Sequence, residues 1–89
     1  MAFDPLVEAI RSSLRALDAH PRAAAGYLNL IDAYEICAEK EGEAELLDQA
    51  LFVIRDVKKL SLTDEEKQRL TALEARVSAT LSRLRPPTG

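Results

Sequence analysis

The sequence predicts an all-α fold, a single domain of four short helices in an antiparallel array. Alanine, leucine and glutamate, which have high helix propensity, are abundant, and β-branched residues are few. Apolar residues recur at spacings of three and four, as on one face of a helix. Proline, glycine and a capping threonine separate these stripes near residues 21, 42 and 63.

The 89 residues are enough for one domain spanning residues 1–89. We predict helices at about residues 4–19, 21–41, 43–59 and 64–85. The segment 24–57 contains both tyrosines and the only cysteine, with Gly42 between its two apolar runs. This segment is predicted to be a helical hairpin, preceded by one helix and followed by another.

The first helix is predicted to begin at Asp4 and Pro5, an N-cap residue followed by the proline favoured at the first helical position. It should end near Ala19, because His20 precedes Pro21 and residues before proline avoid the α region. Its apolar stripe consists of Phe3, Val7, Ile10, Leu14 and Leu17.

The second helix is predicted to begin at Pro21 and to end where Gly42 supplies a left-handed C′ residue. Its apolar face covers about half of the circumference at about 100° per residue, so we expect neighbours on two sides. The face consists of Ala24, Tyr27, Leu28, Leu30, Ile31, Tyr34, Cys37 and Ala38. Ile36 lies outside it, either as a lone exposed apolar residue or as a partner contact.

The third helix has a stripe formed by Leu47, Ala50, Ile54 and Val57. Phe52 falls on the opposite side, where we expect the fourth helix to cover it.

The fourth helix begins with a capping box formed by Thr63 and Glu66. Its stripe consists of Leu70, Leu73, Val77, Leu81 and Leu84, and Pro86-Pro87 ends it.

The net charge of −3 is unevenly distributed, with acids concentrated between Asp32 and Asp48 and bases between Lys67 and Arg85. Arg69, Arg76 and Arg83 recur every seven residues beside the stripe of the fourth helix. Such arginines can cover apolar surface and pair with acids on a neighbouring helix or subunit. They could also form a nucleic-acid surface, but the chain is acidic overall and has no aromatic residues there for base stacking.

The order of residues between about 9 and 57 resembles the tetratricopeptide repeat. The matching positions are Ala9, Ala16, Leu17, Pro21, Tyr27, Leu30, Tyr34, Leu47, Ala50 and Leu51. The chain departs from the family pattern at Ser13, Ile31, Glu43 and Arg55. Two architectures remain open, a compact four-helix bundle and one and a half such repeats with a C-terminal capping helix.

The resemblance implies binding of an extended peptide or a helix on the concave face made by first helices of repeats. The corresponding positions here are Leu28, Asp32, Glu35 and Ile36. With Arg69, Arg76 and Arg83 they form the predicted partner-binding site. In a closed bundle, Leu28 would be covered and this groove would not exist.

No combination of residues in the sequence indicates catalysis, a metal site or a cofactor. His20 stands alone in a predicted turn, and Cys37 is expected to be an inert core residue. The acids around Gly42 lack the oxygen-ligand spacing of a calcium loop and the Glu-x-x-His pairs of di-iron bundles. We therefore expect a protein that is not an enzyme.

A single cysteine favours a reducing, cytoplasmic setting. No apolar run approaches the ~20 residues of a membrane span, and the N-terminus lacks the pattern of a signal peptide.

The leading hypothesis is a small helical interaction module, acting as a subunit, adaptor or chaperone-like protein. Its partner would be another protein or a second copy in a homodimer. The alternative is a nucleic-acid-associated regulator that uses the basic face of the fourth helix.

Overall fold

The computed structural model describes residues 5–85, except for the side chain of Leu6. It contains α1 (Pro5–Ala19), α2 (Ala24–Glu41), α3 (Glu45–Val57) and α4 (Asp64–Leu84), and residues 5–85 include no strand. The all-α four-helix array is thus confirmed. The predicted Asp4 cap and the Pro86-Pro87 stop lie outside the described residues.

Helix α2 is the centre of the array, because it contacts α1, α3 and α4. Helices α3 and α4 also contact each other, whereas α1 contacts only α2 among the described elements. The molecule measures 39 × 39 × 17 Å between Cα atoms, which is about two helix layers thick. The fold is a core of three mutually packed helices with α1 on one flank.

The core lies where α2, α3 and α4 meet, and the predicted stripes of these helices supply it. Burying each large aliphatic side chain contributes roughly 1.5–3 kcal/mol. The buried cluster consists of Ala24, Leu28, Ile31, Ala38, Leu47, Ala50, Ile54, Val57, Leu70, Leu73 and Val77. Leu60 and Leu62, in the α3–α4 connection, pack against it and hold that connection to the core.

Side-chain pairs give the directions of the helices. Lys58 contacts Glu74 and Asp48 contacts Arg85, so residue numbers run in opposite directions along α3 and α4. Asn29 contacts Arg69 and Glu39 contacts Arg83, so α2 and α4 run in the same direction. Consecutive helices of this core are therefore antiparallel, and α4 returns to lie beside α2.

Helices α2 and α3 begin later than predicted. Residues 21–23 form a turn in which the Ala23 N–H donates to the His20 carbonyl, and α2 starts at Ala24. The Tyr27 hydroxyl donates to the Pro21 carbonyl at 2.8 Å and holds this turn against the helix. At the next junction the Glu43 N–H donates back to the Ala38 carbonyl, so Glu43 completes the end of α2 and does not start α3.

Two predicted helix signals are confirmed in detail. Thr63 Oγ1 accepts from the Glu66 N–H at 3.1 Å, and the Glu66 carboxylate accepts from the Thr63 N–H at 2.9 Å, which completes the capping box. Gly42 has φ 67° and ψ 29°, the left-handed conformation expected of a C′ residue.

Helix α1 packs closely on α2 but leaves much of its own surface open. A Cβ atom at Gly26 would lie 3.1 Å from the Leu17 side chain, so the glycine allows the two helices to approach. Ser13 is buried at this contact, and its hydroxyl donates to the Ala9 carbonyl at 2.9 Å. Val7 and Leu14 remain exposed because α1 has a single neighbour. No helix within residues 5–85 is long and apolar enough to cross a membrane.

Replacing Gly42 with alanine should destabilise the domain by roughly 1 kcal/mol, because a Cβ atom is strained at positive φ. Nothing lies within 4 Å of the added Cβ, so the cost is one of backbone conformation and not of packing. Thermal unfolding followed by circular dichroism would show a fall of about 4–8 °C. The adjacent Glu43→Ala is the control and should change little; equal melting temperatures for the two variants would contradict the assignment.

Candidate protein-interaction site

A row of polar contacts runs along the edge where α2 and α4 meet, here called the α2–α4 ladder. Three arginines of α4, spaced seven residues apart, face polar side chains of α2. The ladder consists of Asn29, Asp32, Glu35 and Glu39 from α2 and Arg69, Arg76, Thr80 and Arg83 from α4. It covers the length of the contact between the two helices.

The centre of the ladder is a buried carboxylate. Glu35 is only 3% exposed, although it lies between two helices that are otherwise packed through apolar residues. Its Oε1 accepts from Thr80 Oγ1 at 3.0 Å, and its Oε2 accepts from Arg76 Nη2 at 2.8 Å. Both carboxylate oxygens therefore have partners, which is the condition for tolerating a buried charge.

Arg76 also reaches Asp32 on the previous turn of α2. Its Nη1 lies 2.8 Å from Asp32 Oδ1, a buried oxygen that forms an ion pair without the alignment of a hydrogen bond. Burial acts to lower the pKa of Arg76, but the short contacts with Asp32 and Glu35 together outweigh it, and the pKa is raised. The guanidinium thus stays charged at neutral pH and compensates two carboxylates.

The two ends of the ladder are exposed to solvent. Arg69 Nη2 donates to Asn29 Oδ1 at 2.8 Å, and Arg83 Nη2 donates to Glu39 Oε1 at 3.1 Å. Exposed contacts of this kind typically contribute less than about 1 kcal/mol. We therefore expect the contacts of Glu35 to supply most of what the ladder contributes to the free energy of unfolding.

The structure places six of the seven predicted partner-binding residues in the α2–α4 contact. Leu28 is 1% exposed and belongs to the core. Among the charged members, Arg76 contacts Asp32 and Glu35. Arg69 and Arg83 contact residues of α2 that were not predicted, Asn29 and Glu39. Ile36, the seventh, is exposed on α2. Helix α4 thus occupies the face of α2 on which the sequence predicted a groove.

The expectation that the fourth helix covers Phe52 was wrong. Phe52 is 59% exposed, because the α3 surface buried against α2 and α4 is the one that carries Ala50, Ile54 and Val57. Leu51 next to it is also exposed. The Arg55 guanidinium carbon lies 5.6 Å from the centroid of the Phe52 ring, at the distance of a cation–π contact. Arginine and phenylalanine thus form one outward-facing unit.

A shallow cavity of about 360 Å³ adjoins this unit and is lined by Asp48, Leu51, Phe52 and Arg55. Arg85 donates to both oxygens of Asp48, at 3.3 and 3.2 Å. These hydrogen bonds and the attraction of the same carboxylate raise the pKa of Arg85. Arg85 thus neutralises the charge of Asp48. The apolar side chains of Leu51 and Phe52 then lie beside one positive charge, that of Arg55.

Sequence reasoning missed the burial of Glu35, although one signal for it was present. Leu70, Leu73, Val77, Thr80 and Leu84 follow spacings of 3, 4, 3 and 4, so Thr80 continues the core stripe of α4. A hydroxyl at a core position needs a buried hydrogen-bond partner. Glu35 is that partner. The sequence correctly placed Phe52 on the side of α3 opposite the core stripe. Only the expectation that α4 covers this side was wrong.

The residues considered for chemistry lie apart from these surfaces. His20 is exposed in the α1–α2 turn, and Cys37 is buried in α2. Within residues 5–85, no group of three or more potential ligands could hold a metal ion.

The sequence matches no protein-family model, and no curated protein or solved structure is significantly similar to it. The candidate interaction surfaces are thus identified from the geometry of this chain alone. They are the α2–α4 ladder and the outward side of α3.

Replacing Arg76 with alanine should cost roughly 2–3 kcal/mol of unfolding free energy, because it leaves the Glu35 carboxylate buried with only Thr80. This is less than the ~3–5 kcal/mol typical of a broken buried pair, since the Arg76 side chain is 45% exposed and water can enter. Urea unfolding measures the change. Arg69→Ala, at the exposed end of the ladder, should cost under about 1 kcal/mol. Equal losses for both variants would show that Glu35 is not the centre of the contact.

Proposed function

We propose that this protein is a small helical protein–protein interaction module without catalytic activity, and that the outward side of α3 is its binding surface. The observation that carries the proposal is Phe52, a large aromatic residue that is mostly exposed beside the exposed Leu51. The core does not need this ring, since the buried side of α3 is complete without it.

The chemistry of this surface is that of an interface hot spot. Aromatic residues and arginine are enriched at the centres of protein interfaces, where they contribute most of the binding energy. Arg55 and Phe52 already contact each other, so less side-chain freedom is lost when a partner binds. The adjoining cavity could accept an apolar side chain of that partner.

We place the binding surface on α3 and not on the predicted concave face, because Asp32 and Glu35 of that face are already in contact with α4. Leu28 is in the core, and Glu35 is held by Arg76 and Thr80. A peptide bound as in tetratricopeptide repeats would have to displace α4. Ile36 is exposed and could extend the binding surface onto α2.

A protein partner is favoured over nucleic acid for the same reason. A nucleic-acid surface on α4 would need Arg69, Arg76 and Arg83 for phosphates, and each of them already donates to an oxygen of α2. We further propose a cytoplasmic location, supported by the single cysteine, which is buried in α2.

The test is affinity capture from the native host with wild-type protein and the variant Phe52→Ser. We expect at least one protein to be retained by the wild type in stoichiometric amount and lost with Phe52→Ser, identified by mass spectrometry. Leu14→Ser, which removes an exposed leucine from α1, is the matched control and should retain it. Ile36→Ser reports whether α2 contributes. Identical captures with wild type and Phe52→Ser would exclude the α3 surface.

A further inference from the structure

We propose that the outward side of α3 binds the same side of a second copy of this chain, with the two α3 helices antiparallel around a two-fold axis beside Phe52. This inference rests on the proposed function and specifies a partner for its binding surface. It is carried by the order of charges along α3 together with the exposed aromatic residue at its middle.

Five residues form one line along the outward side of α3, here called the outer stripe. They are Glu45, Asp48, Phe52, Arg55 and Lys59. Their spacings of 3, 4, 3 and 4 keep them on one face, as in the contact seam of two packed helices. The buried residues of α3, Leu47, Ala50, Ile54 and Val57, lie on the other side. Lys59 lies in the turn that continues directly from the end of the helix.

The outer stripe is self-complementary in charge only when two copies run antiparallel. Its first two members are acids, its last two are bases, and Phe52 lies between them. Glu45 and Lys59 are each seven residues from Phe52, or about 10 Å at 1.5 Å per residue. A two-fold axis at Phe52 therefore sets Glu45 of one copy opposite Lys59 of the second copy, twice by symmetry. In a parallel pair like charges would face each other.

The charges of the outer stripe are largely available to a second copy. Within residues 5–85, neither Glu45 nor Arg55 forms an ion pair, although Glu45 adds a small attraction to Arg85. Lys59 lies 3.8 Å from Asp56, and both side chains are more than half exposed. Such a pair is weak and easily exchanged. Asp48 differs from the other members in accepting two hydrogen bonds, both from Arg85.

Helix electrostatics alone explains part of this pattern but not all of it. Acids near the start of a helix and bases near its end favour the helix dipole without any partner. That effect does not account for Phe52 and Leu51, which expose apolar surface at the midpoint between the charges. Fully burying an aromatic side chain removes about 150–250 Å² from water, and Phe52 still exposes 59% of its surface. A two-fold axis beside Phe52 covers this exposed part in both copies.

The expected complex is a weak, closed dimer. An isologous contact uses the same surface in both copies and ends at two. A single pair of short helices is expected to bury less than the roughly 1,200 Å² of stable interfaces, so the dimer should dissociate reversibly at low concentration. Arg55 can then also contact the Phe52 ring of the second copy, since a two-fold axis places the stripes side by side.

The experiment is analytical ultracentrifugation of the full chain, from micromolar to millimolar concentration at low salt. Wild type should show a monomer–dimer equilibrium. Glu45→Lys and Lys59→Glu each place like charges together twice, and each variant alone should dimerise about threefold to tenfold more weakly. Mixing these two variants in equal amounts should restore wild-type affinity or exceed it, because the heterodimer has opposite charges at both contacts. Phe52→Ser should abolish the dimer.

Three controls keep the result interpretable. Arg11→Glu, exposed on α1, a helix that does not contact α3 within residues 5–85, should dimerise like the wild type. Far-ultraviolet circular dichroism verifies that every variant is folded, which is expected because all substitutions are at exposed positions. Raising the salt concentration should reduce the difference between the single variants and their mixture.

A wild type that stays monomeric at millimolar concentration would overturn the inference, as would a mixture of Glu45→Lys and Lys59→Glu that associates no better than either alone. A dimer that survives Phe52→Ser would also overturn it. These outcomes are distinct from failure of the proposed function. If a host protein is lost with Phe52→Ser while the wild type is monomeric, the surface binds another protein and not a second copy.

Discussion

The arrangement of this domain depends on one buried carboxylate. Glu35 is accommodated between α2 and α4 only because Arg76 and Thr80 satisfy both of its oxygens. The leucines and arginines of α4 repeat at nearly heptad spacing, so sliding α4 by seven residues would bring another arginine to Glu35. It would not bring another hydroxyl, since Leu73 or Pro87 would replace Thr80. The hydrogen bond from Thr80 to Glu35 thus favours the observed register over one shifted by seven residues.

This register determines which surfaces remain for partners. With α4 fixed beside α2 and antiparallel to α3, the α2 face that carries Leu28 and Glu35 is covered. The same placement leaves the opposite side of α3 without a helical neighbour among residues 5–85, and Phe52 and Leu51 remain exposed there. The position of α4 therefore has two consequences. It forms the polar contact around Glu35, and it leaves the apolar surface around Phe52 exposed.

The contrast between the ends and the centre of the α2–α4 ladder shows why charge patterns alone are a poor guide to binding sites. Arg69, Arg76 and Arg83 are equivalent in spacing, yet Arg76 compensates a buried acid and the other two make exposed contacts. On α3, Arg55 makes no such pair within residues 5–85 and packs on Phe52 instead. The functional meaning of an arginine here follows from the burial of its neighbour, which changes the strength of the interaction several-fold.

The sequence by itself determined the features that depend on neighbours along the chain. These include the number of helices, the Thr63–Glu66 capping box, the left-handed Gly42 and the core stripes of α3 and α4. Six of the seven predicted site residues lie in the α2–α4 contact, because heptad spacing on α4 and acids on α2 already imply two facing edges. Only the tertiary structure decided that this edge is an internal contact, that Glu35 is buried and that Phe52 is not. Helical periodicity tells which residues share a face, whereas burial depends on which helix packs against that face.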